Sequence, residues 1–254
     1  MQFGCCASID KAADVHAAGF DYIEAGVVSL IADEDDDAFA PILTQYEASA
    51  VPVQAFNLFL PNDLKIVGPE VDEDRARRYV DRALSRIQTI GATSAVIGSG
   101  DSRNIPDGFP RDEAIDQIVH FMHIVADAAE QTDVTIAIEP LNRRESNVIN
   151  SVGEGVEIAQ KTNRKPIRVL ADFYHMDEED EPLSEISKHK DWLAHIHVAD
   201  TGRGSPGTGQ YPYDVFVQEL RDAGYDGMVS IECRWNDFSA EAAPSVEFLR
   251  RVFS

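Results

Sequence analysis

The chain has 254 residues, of which 45 are acidic and 22 are basic, and its formal net charge is −23 at pH 7. A charge of this sign repels nucleic-acid phosphates and anionic membrane surfaces, so neither is expected as a partner. Hydrophobic residues make up 44% of the sequence, as in an ordinary globular protein, and no apolar run approaches the ~20 residues that cross a bilayer.

Short apolar segments typical of strands alternate with longer segments typical of helices along the whole chain. The predicted strands cover residues 3–7, 22–25, 51–59, 94–97, 134–139, 167–172, 195–198 and 228–232. The predicted helices cover residues 8–19, 33–49, 71–90, 111–130, 153–161, 183–190, 212–223 and 239–252. Ser8 is expected to cap the first helix and Gly19 to end it.

This alternation gives eight strand–helix units, with no linker and no change of composition between them. Strands joined through helices in this way lie parallel, with right-handed crossovers. No glycine-rich dinucleotide fingerprint opens any of the helices, which argues against an open doubly wound sheet. We therefore predict the α/β class and one (β/α)₈ TIM barrel, formed as a single domain over residues 1–254.

Four of the predicted strands carry, at their last or next-to-last position, a residue that can bind a divalent metal: Glu139, Asp172, His197 and Glu232. A capping acid explains any one of them alone. Together, and in order, they predict a shared site at the carboxyl-terminal rim of the barrel, where such barrels carry their chemistry. Three carboxylates and one imidazole suit Mn²⁺, with Mg²⁺ or Co²⁺ as alternatives, better than structural zinc.

A metal in such a site leaves positions for the carbonyl and the neighbouring hydroxyl of a hydroxy-ketone. The ion polarises the carbonyl and stabilises the enediolate that forms when a proton leaves the adjacent carbon. Glu139 and Glu232 lie at the ends of the fifth and eighth strands and approach the centre from different sides. They are therefore the candidates for removing a proton and returning one.

Four motifs are the most specific parts of the sequence. They are Ile138-Glu139-Pro140-Leu141-Asn142-Arg143, Asp172-Phe173-Tyr174-His175, His197-Val198-Ala199-Asp200 followed by Pro206-Gly207-Thr208-Gly209, and Gly224-Tyr225-Asp226-Gly227 leading to Ser230-Ile231-Glu232. With them, the whole chain resembles the xylose-isomerase-like barrel superfamily of sugar isomerases and epimerases. Within that superfamily it is most similar to the ketose 3-epimerases.

The resemblance implies a role for each matching residue. The family's four metal ligands fall on the four strand-end residues, and its catalytic carboxylate pair falls on Glu139 and Glu232. Three substrate-contacting residues match Glu145, His175 and Arg203 at the same offsets from the ligands. The resemblance further implies a sugar or sugar-phosphate substrate, one metal ion with no organic cofactor, and a homo-dimer or homo-tetramer.

Arg234 departs from the epimerase pattern, which has an apolar residue two positions after the last glutamate. Residues two apart on a strand share a face, so this guanidinium is placed to bind a carboxylate or phosphate. The position also resembles hydroxypyruvate isomerases, which carry a cation there. A salt bridge to a surface acid is the alternative for Arg234. A second anion site is expected around residues 98–100 and Arg103.

The sequence thus favours a metal-dependent sugar isomerase or epimerase, with 3-epimerisation of a ketose or ketose phosphate first. The alternatives are isomerisation of a small keto acid, as by hydroxypyruvate isomerases, and dehydration of an inosose-type keto-polyol. An endonuclease IV-type phosphodiesterase would need several zinc ions, more histidines than the seven present, and a basic face. A sugar-binding barrel without turnover would need only one glutamate of the pair.

The amino terminus and the cysteine content bear on the compartment. Residues 1–6 lack the basic region and apolar stretch of a signal peptide, and three cysteines do not form a disulfide framework. A reduced cytoplasmic compartment is therefore expected. Only six of the basic residues are lysines, a balance that fits both a salt-rich source and an ordinary acidic protein.

Overall fold

Eight parallel strands form a closed barrel in sequence order, because β1 pairs with both β2 and β8. The structure, a computed structural model, describes residues 1–254. The strands are β1 (Gln2–Cys6), β2 (Tyr22–Gly26), β3 (Val53–Asn57), β4 (Ser94–Ile97), β5 (Thr135–Ile138), β6 (Ile167–Asp172), β7 (Leu193–Val198) and β8 (Met228–Ile231). The predicted (β/α)₈ TIM barrel is confirmed.

Ten α-helices surround the barrel or form part of its rim. They are α1 (Ala12–Ala18), α2 (Asp36–Glu47), α3 (Glu73–Ile90), α4 (Gly100–Arg103), α5 (Arg111–Ala129), α6 (Val152–Thr162), α7 (Phe173–Glu178), α8 (Ser184–Lys188), α9 (Tyr213–Asp222) and α10 (Phe238–Val252). Three 3₁₀ turns, Ile9–Lys11, Val27–Leu30 and Thr201–Arg203, complete the regular structure. No helix has the length and apolar character needed to span a membrane.

The first helix differs from the sequence prediction. The segment 8–19 divides into the 3₁₀ turn Ile9–Lys11 and α1, and the Ser8 side chain makes no capping hydrogen bond. Gly19 does end α1, with a φ of 93° that glycine adopts without strain. The short helices α4 and α7 were not predicted. Helix α7 follows β6 directly and two residues separate α4 from β4, and both helices belong to the rim that carries the candidate site.

The two faces of the strands bury different side chains. Ala95, Ile97 and Ile136 pack outward into the large core between the barrel and its helices. Val96 and Ala137, one position along, form with Leu170 a separate small apolar cluster. Because side chains alternate along a strand, this cluster fills part of the barrel interior. The interior also holds the buried polar side chains of Glu24, His195, His197 and Ser230.

Candidate active site

The four predicted strand-end ligands converge at the carboxyl-terminal end of the barrel. The Nδ1 atom of His197 lies 3.2 Å from Glu139 Oε1, 3.7 Å from Glu232 Oε2 and 3.9 Å from Asp172 Oδ2. Single atoms of Glu139, Asp172, His175 and Glu232 also lie within 4.8 Å of one another. Three carboxylates and two imidazoles therefore surround one small volume.

Asp172 connects this cluster to the local fold. Its Oδ1 atom accepts hydrogen bonds from the backbone N–H groups of Tyr174 and His175, which starts α7 immediately after β6. Its Oδ2 atom is buried and has no hydrogen-bond partner. An unpaired buried carboxylate oxygen is costly. The donor set and this orphaned oxygen together fit a divalent cation.

His175 faces the same carboxylates, but its hydrogen bonds differ from those of His197. Its Nδ1 atom accepts from the backbone N–H of Asn142 at 3.1 Å and lies 2.9 Å from the Asn142 amide nitrogen. A neutral imidazole that accepts at Nδ1 carries its proton on Nε2. That Nε2 atom is buried and unpartnered, 3.9 Å from Asp172 Oδ2. His175 is therefore arranged to donate a hydrogen bond into the site.

The two glutamates have opposite electrostatic surroundings. Burial and the negative charge of Glu232 raise the pKa of Glu139. Burial would also raise the pKa of Glu232, but the charges of His197 and Arg203 lower it to about 2. Glu232 also accepts a hydrogen bond from the Asn57 side chain at 3.0 Å. One acid is thus held ionised and the other towards its protonated form, as in a catalytic acid–base pair.

Arg203 connects Glu232 to the predicted substrate residues. Its guanidinium donates to Glu232 Oε2 at 2.5 Å and to Glu145 Oε1 at 3.1 Å. It also lies over the ring of Tyr174, 5.0 Å from the centroid. Asn142 donates to the same Glu145 oxygen at 3.1 Å. The structure therefore brings Glu145 and Arg203 into contact with each other and with the ligand cluster.

These groups open into a cavity of about 340 Å³ at the barrel mouth. Its walls include Glu139, Glu145, Arg203, Glu232, Leu58, Leu60, Asn62, Ser99, Gly100, Asp101, Leu141 and Arg144. This volume suits a small sugar. Three of the lining residues, Leu58, Ser99 and Arg203, have φ values of 47°, 35° and 64°. Strained backbone of this kind concentrates at functional sites.

Arg234 and Arg103, the two arginines expected to bind anions, differ in exposure. Arg234 is exposed and forms no ion pair, so the surface salt bridge considered for it is not present. Its backbone N–H donates to the carbonyl of Arg203 at 2.7 Å, so Arg234 adjoins a residue of the cavity wall but does not itself line the cavity. Arg103 is buried and donates to the carbonyl oxygens of Ile97 and Ile149. Its guanidinium is therefore unavailable for the second anion site expected there, and that prediction is wrong.

Sequence reasoning gave no role to Asn57 or Asn142. Asn57 ends β3 in the structure, but the predicted strand continues to residue 59, so the strand-end rule does not single it out. Asn142 lies within one of the specific motifs, but its contact with His175 is made across 33 positions of sequence. No spacing rule predicts that contact.

Comparison with known proteins decides the family. Residues 12–252 match the family described as Xylose isomerase-like TIM barrel. The chain belongs to this family. The chain is 27% identical over 177 residues to 3-dehydro-D-guloside 4-epimerase of Escherichia coli (strain K12), covering 66% of this chain and 68% of that protein.

Two further relatives carry related names. The chain is 34% identical over 109 residues to ketose 3-epimerase of Arthrobacter globiformis. The matched segment covers 42% of this chain and 38% of that protein. It is 29% identical over 178 residues to a putative hydroxypyruvate isomerase of Streptomyces coelicolor (strain A3(2)), covering 66% and 62%. All three names describe epimerases or isomerases, and the protein is an isomerase-type enzyme.

A solved structure of D-psicose 3-epimerase in the presence of D-fructose has the same fold. It superposes with a TM-score of 0.86 at 21% identity, and the match covers 100% of this chain and 99% of that one. At this level of identity the similarity establishes the architecture alone.

Proposed function

We propose that the protein is a divalent-metal-dependent sugar epimerase that inverts the carbon next to a keto group. A ketose or ketose phosphate is the substrate, and C3 is the inverted carbon. The observation that carries this proposal is the pair Glu139 and Glu232, whose carboxylates share one cavity and have pKa values shifted in opposite directions. The epimerase names of two relatives support it.

Glu139, Asp172, His197 and Glu232 would hold the ion, with Mn²⁺ first and Mg²⁺ or Co²⁺ as alternatives. The unpartnered Asp172 Oδ2 and the approach of His197 Nδ1 to three carboxylates support this assignment. When bound, the ion would polarise the substrate carbonyl and make the neighbouring carbon more acidic.

The chain's own residues move the proton. Glu232 is held ionised by Arg203 and Asn57 and takes the proton from one face of the substrate. Glu139, with its raised pKa, returns a proton to the other face. In the reverse reaction the two acids exchange roles, so inversion of the carbon requires both.

Three further residues would bind the sugar. His175 offers the Nε2 proton that has no partner within the protein. Arg203 and Glu145 offer a guanidinium and a carboxylate, which orient each other at 3.1 Å and can bond to substrate hydroxyls. These groups hold the substrate while the two glutamates act on it, which supplies the orientation that proton transfer needs.

Arg234 favours a second candidate function, isomerisation of a small keto acid. It is an exposed arginine without an acidic partner, and its backbone is hydrogen-bonded to Arg203 of the cavity wall, in a chain with a large excess of acids. A substrate carboxylate would supply that partner, and the match to a putative hydroxypyruvate isomerase agrees with it. A multi-zinc phosphodiesterase is disfavoured, because only three of the seven histidines, His175, His195 and His197, are buried.

Deuterium exchange tests the proposal. The EDTA-treated protein is supplied with Mn²⁺ in D₂O and given ketoses, ketose phosphates, hydroxypyruvate and an inosose, and the products are followed by NMR. Exchange at C3 of a ketose is expected. Exchange at C1, or at C3 of hydroxypyruvate, would indicate isomerisation, and loss of water would indicate a dehydratase.

Glutamine variants locate the exchange in the protein. Glu139→Gln and Glu232→Gln should each abolish it, whereas Glu157→Gln, at an exposed position of α6, should retain it. Exchange that does not depend on metal, or that survives in both site variants, would overturn the proposal.

A further inference from the structure

A carboxylate that takes part in neither the metal cluster nor the cavity wall lies behind His197. Glu24, on β2, is completely buried inside the barrel. Its Oε1 atom is 2.9 Å from His197 Nε2, and its Oε2 atom is 2.8 Å from His195 Nε2. Oε2 also accepts the hydroxyl proton of Ser230. All three partners are fully buried.

This arrangement fixes the proton on the His197 ring. A carboxylate accepts hydrogen bonds and does not donate them, so Nε2 of His197 carries the hydrogen that faces Glu24. In a neutral imidazole the other nitrogen, Nδ1, then has a free electron pair. Nδ1 is the atom that lies 3.2–3.9 Å from the three site carboxylates.

We propose that Glu24 is a positioning residue for metal binding, which holds the His197 ring and its tautomer so that Nδ1 binds the ion. This inference rests on the proposed metal-dependent function. It also distinguishes the two imidazoles that face the carboxylates. His175 accepts at Nδ1 and presents N–H to the site, whereas His197 donates at Nε2 to Glu24, so that its neutral ring presents the Nδ1 lone pair to an ion.

The barrel interior supports Glu24 from several strands. The Ser230 hydroxyl also bonds to the Tyr22 hydroxyl at 2.7 Å. Gly4 makes room for the Tyr22 ring, because a Cβ at Gly4 would lie 2.2 Å from that ring. Four strands, β1, β2, β7 and β8, thus hold a carboxylate that touches the candidate site only through His197.

The side chains two positions before each candidate ligand are polar on one side of the barrel interior and apolar on the other. Ala137 and Leu170, before Glu139 and Asp172, are apolar and pack with Val96. His195 and Ser230, before His197 and Glu232, are polar and both bond to Glu24. Buried polar groups are costly, and an apolar layer is available on the other side of the same barrel. The polar half occurs where it supports the histidine ligand.

The alternative is that Glu24 is itself a metal ligand, at a site behind the His197 ring. Cys6, Glu24 and His197 offer three ligand atoms within 4.8 Å of one another, so an ion bound behind the ring would use the thiol. A thiolate bound to Co²⁺ gives an intense charge-transfer band in the near ultraviolet, whereas oxygen and nitrogen ligands alone do not. The Co²⁺ spectrum therefore separates the two positions.

The experiment compares Co²⁺ binding by the purified full chain and its variants, using titration calorimetry and absorption spectroscopy without substrate. Glu24→Gln should bind Co²⁺ about 10–100-fold more weakly and change its visible spectrum, as expected when the carboxylate behind a metal-binding histidine is lost. Ser230→Ala, which removes one of three hydrogen bonds to Glu24, should weaken binding less. Ser94→Ala is the matched control, a buried serine on β4 with no hydrogen-bond partner, and should bind as the wild type does.

Each result has a defined meaning. Wild-type Co²⁺ affinity in a folded Glu24→Gln variant, or a thiolate band in the wild type, would overturn the role of Glu24. If Glu24→Gln does not fold, the Ser230→Ala titration decides, and unchanged affinity there overturns the inference. A wild-type protein that binds no divalent ion would instead overturn the proposed function.

Discussion

Replacing Gly98 with alanine should disable the enzyme without unfolding it. Gly98 follows β4, and its φ lies outside the left-handed region, so alanine can adopt the same backbone. An added Cβ would lie 2.1 Å from Glu139 Oε2. Real Cβ contacts stay above 3.0 Å, so the carboxylate must retreat by at least the 0.9 Å difference between these two distances.

The magnitude follows from that displacement. A misplacement of about 1 Å at a reacting group costs on the order of 10²-fold in rate, which corresponds to about 2.7 kcal/mol in the activation barrier. The cost in folding is small, because the clashing atom is the far end of a flexible side chain. Alanine also restricts the unfolded chain, which stabilises the fold by roughly 0.4–1 kcal/mol. We expect kcat to fall about 10²-fold while Tm is unchanged or higher.

The assay measures deuterium exchange with Mn²⁺-loaded protein and thermal unfolding by circular dichroism on the same samples. Gly153→Ala is the control, since a Cβ in the first turn of α6 meets nothing closer than 3.6 Å. It should retain full exchange. A Gly98→Ala variant with wild-type kcat would refute the reasoning, because Glu139 would then act from a position other than the one observed.

Four other predictions follow from the charges of the protein. Arg234→Ala should raise KM for an anionic substrate and leave a neutral ketose nearly unaffected; equal effects on both would contradict a role in anion binding. Burial raises the pKa of the Glu181 carboxyl to about 7, although the hydrogen bond from the Val152 N–H lowers it. The folded protein therefore binds this proton more tightly than the unfolded chain does, and its stability falls as the pH rises from 4.5 to about 7. Glu181→Gln should remove that fall and unfold at a higher temperature at alkaline pH, and an unchanged pH profile of Tm would count against it. Added salt shortens the Debye length from about 8 Å at 0.15 M to about 3 Å at 1 M. This screening weakens the repulsion among the acidic residues of a chain with net charge −23, so Tm should rise with KCl concentration. A falling Tm would contradict this. Metal binding should release protons, because the pKa values of Glu139 and His197 are both raised without an ion; calorimetry in buffers of different ionisation enthalpy would detect the release, and no buffer dependence would refute it.

The sequence predicted the barrel well because its strands are short, apolar and closely bounded. Strands β4 and β6 have the predicted bounds. Strands β5 and β8 end one residue earlier than predicted, just before Glu139 and Glu232. Helices α4 and α7 were missed because four and six residues are too few to show a helical period. Tertiary context forms them, as when Asp172 caps α7.

The site was predictable where a residue type alone indicates its chemistry. Carboxylates and histidines at strand ends indicated the candidate ligands that the structure brings together, but spacing cannot say which nitrogen of His175 or His197 faces the site. That depends on Asn142 and on Glu24, which lies 173 positions from His197 in the sequence. Arg103 shows the opposite failure, since an arginine beside a glycine-rich turn suggests an anion site while the fold buries it against carbonyl groups.

Charge balance argues for a metal enzyme rather than a barrel that only binds sugar. Five carboxylates lie in and behind the candidate site, those of Glu24, Glu139, Glu145, Asp172 and Glu232. Arg203 is the only arginine that hydrogen-bonds to any of them. Without an ion, the raised pKa values of Glu139 and His197 favour their protonated forms, which reduces the negative charge of the cluster. A divalent cation supplies two positive charges at the same place. Sugar hydroxyls can donate to a carboxylate such as Glu145, but they offset no charge, so sugar binding alone does not account for the cost of burying Glu139, Asp172 and Glu232 around one histidine.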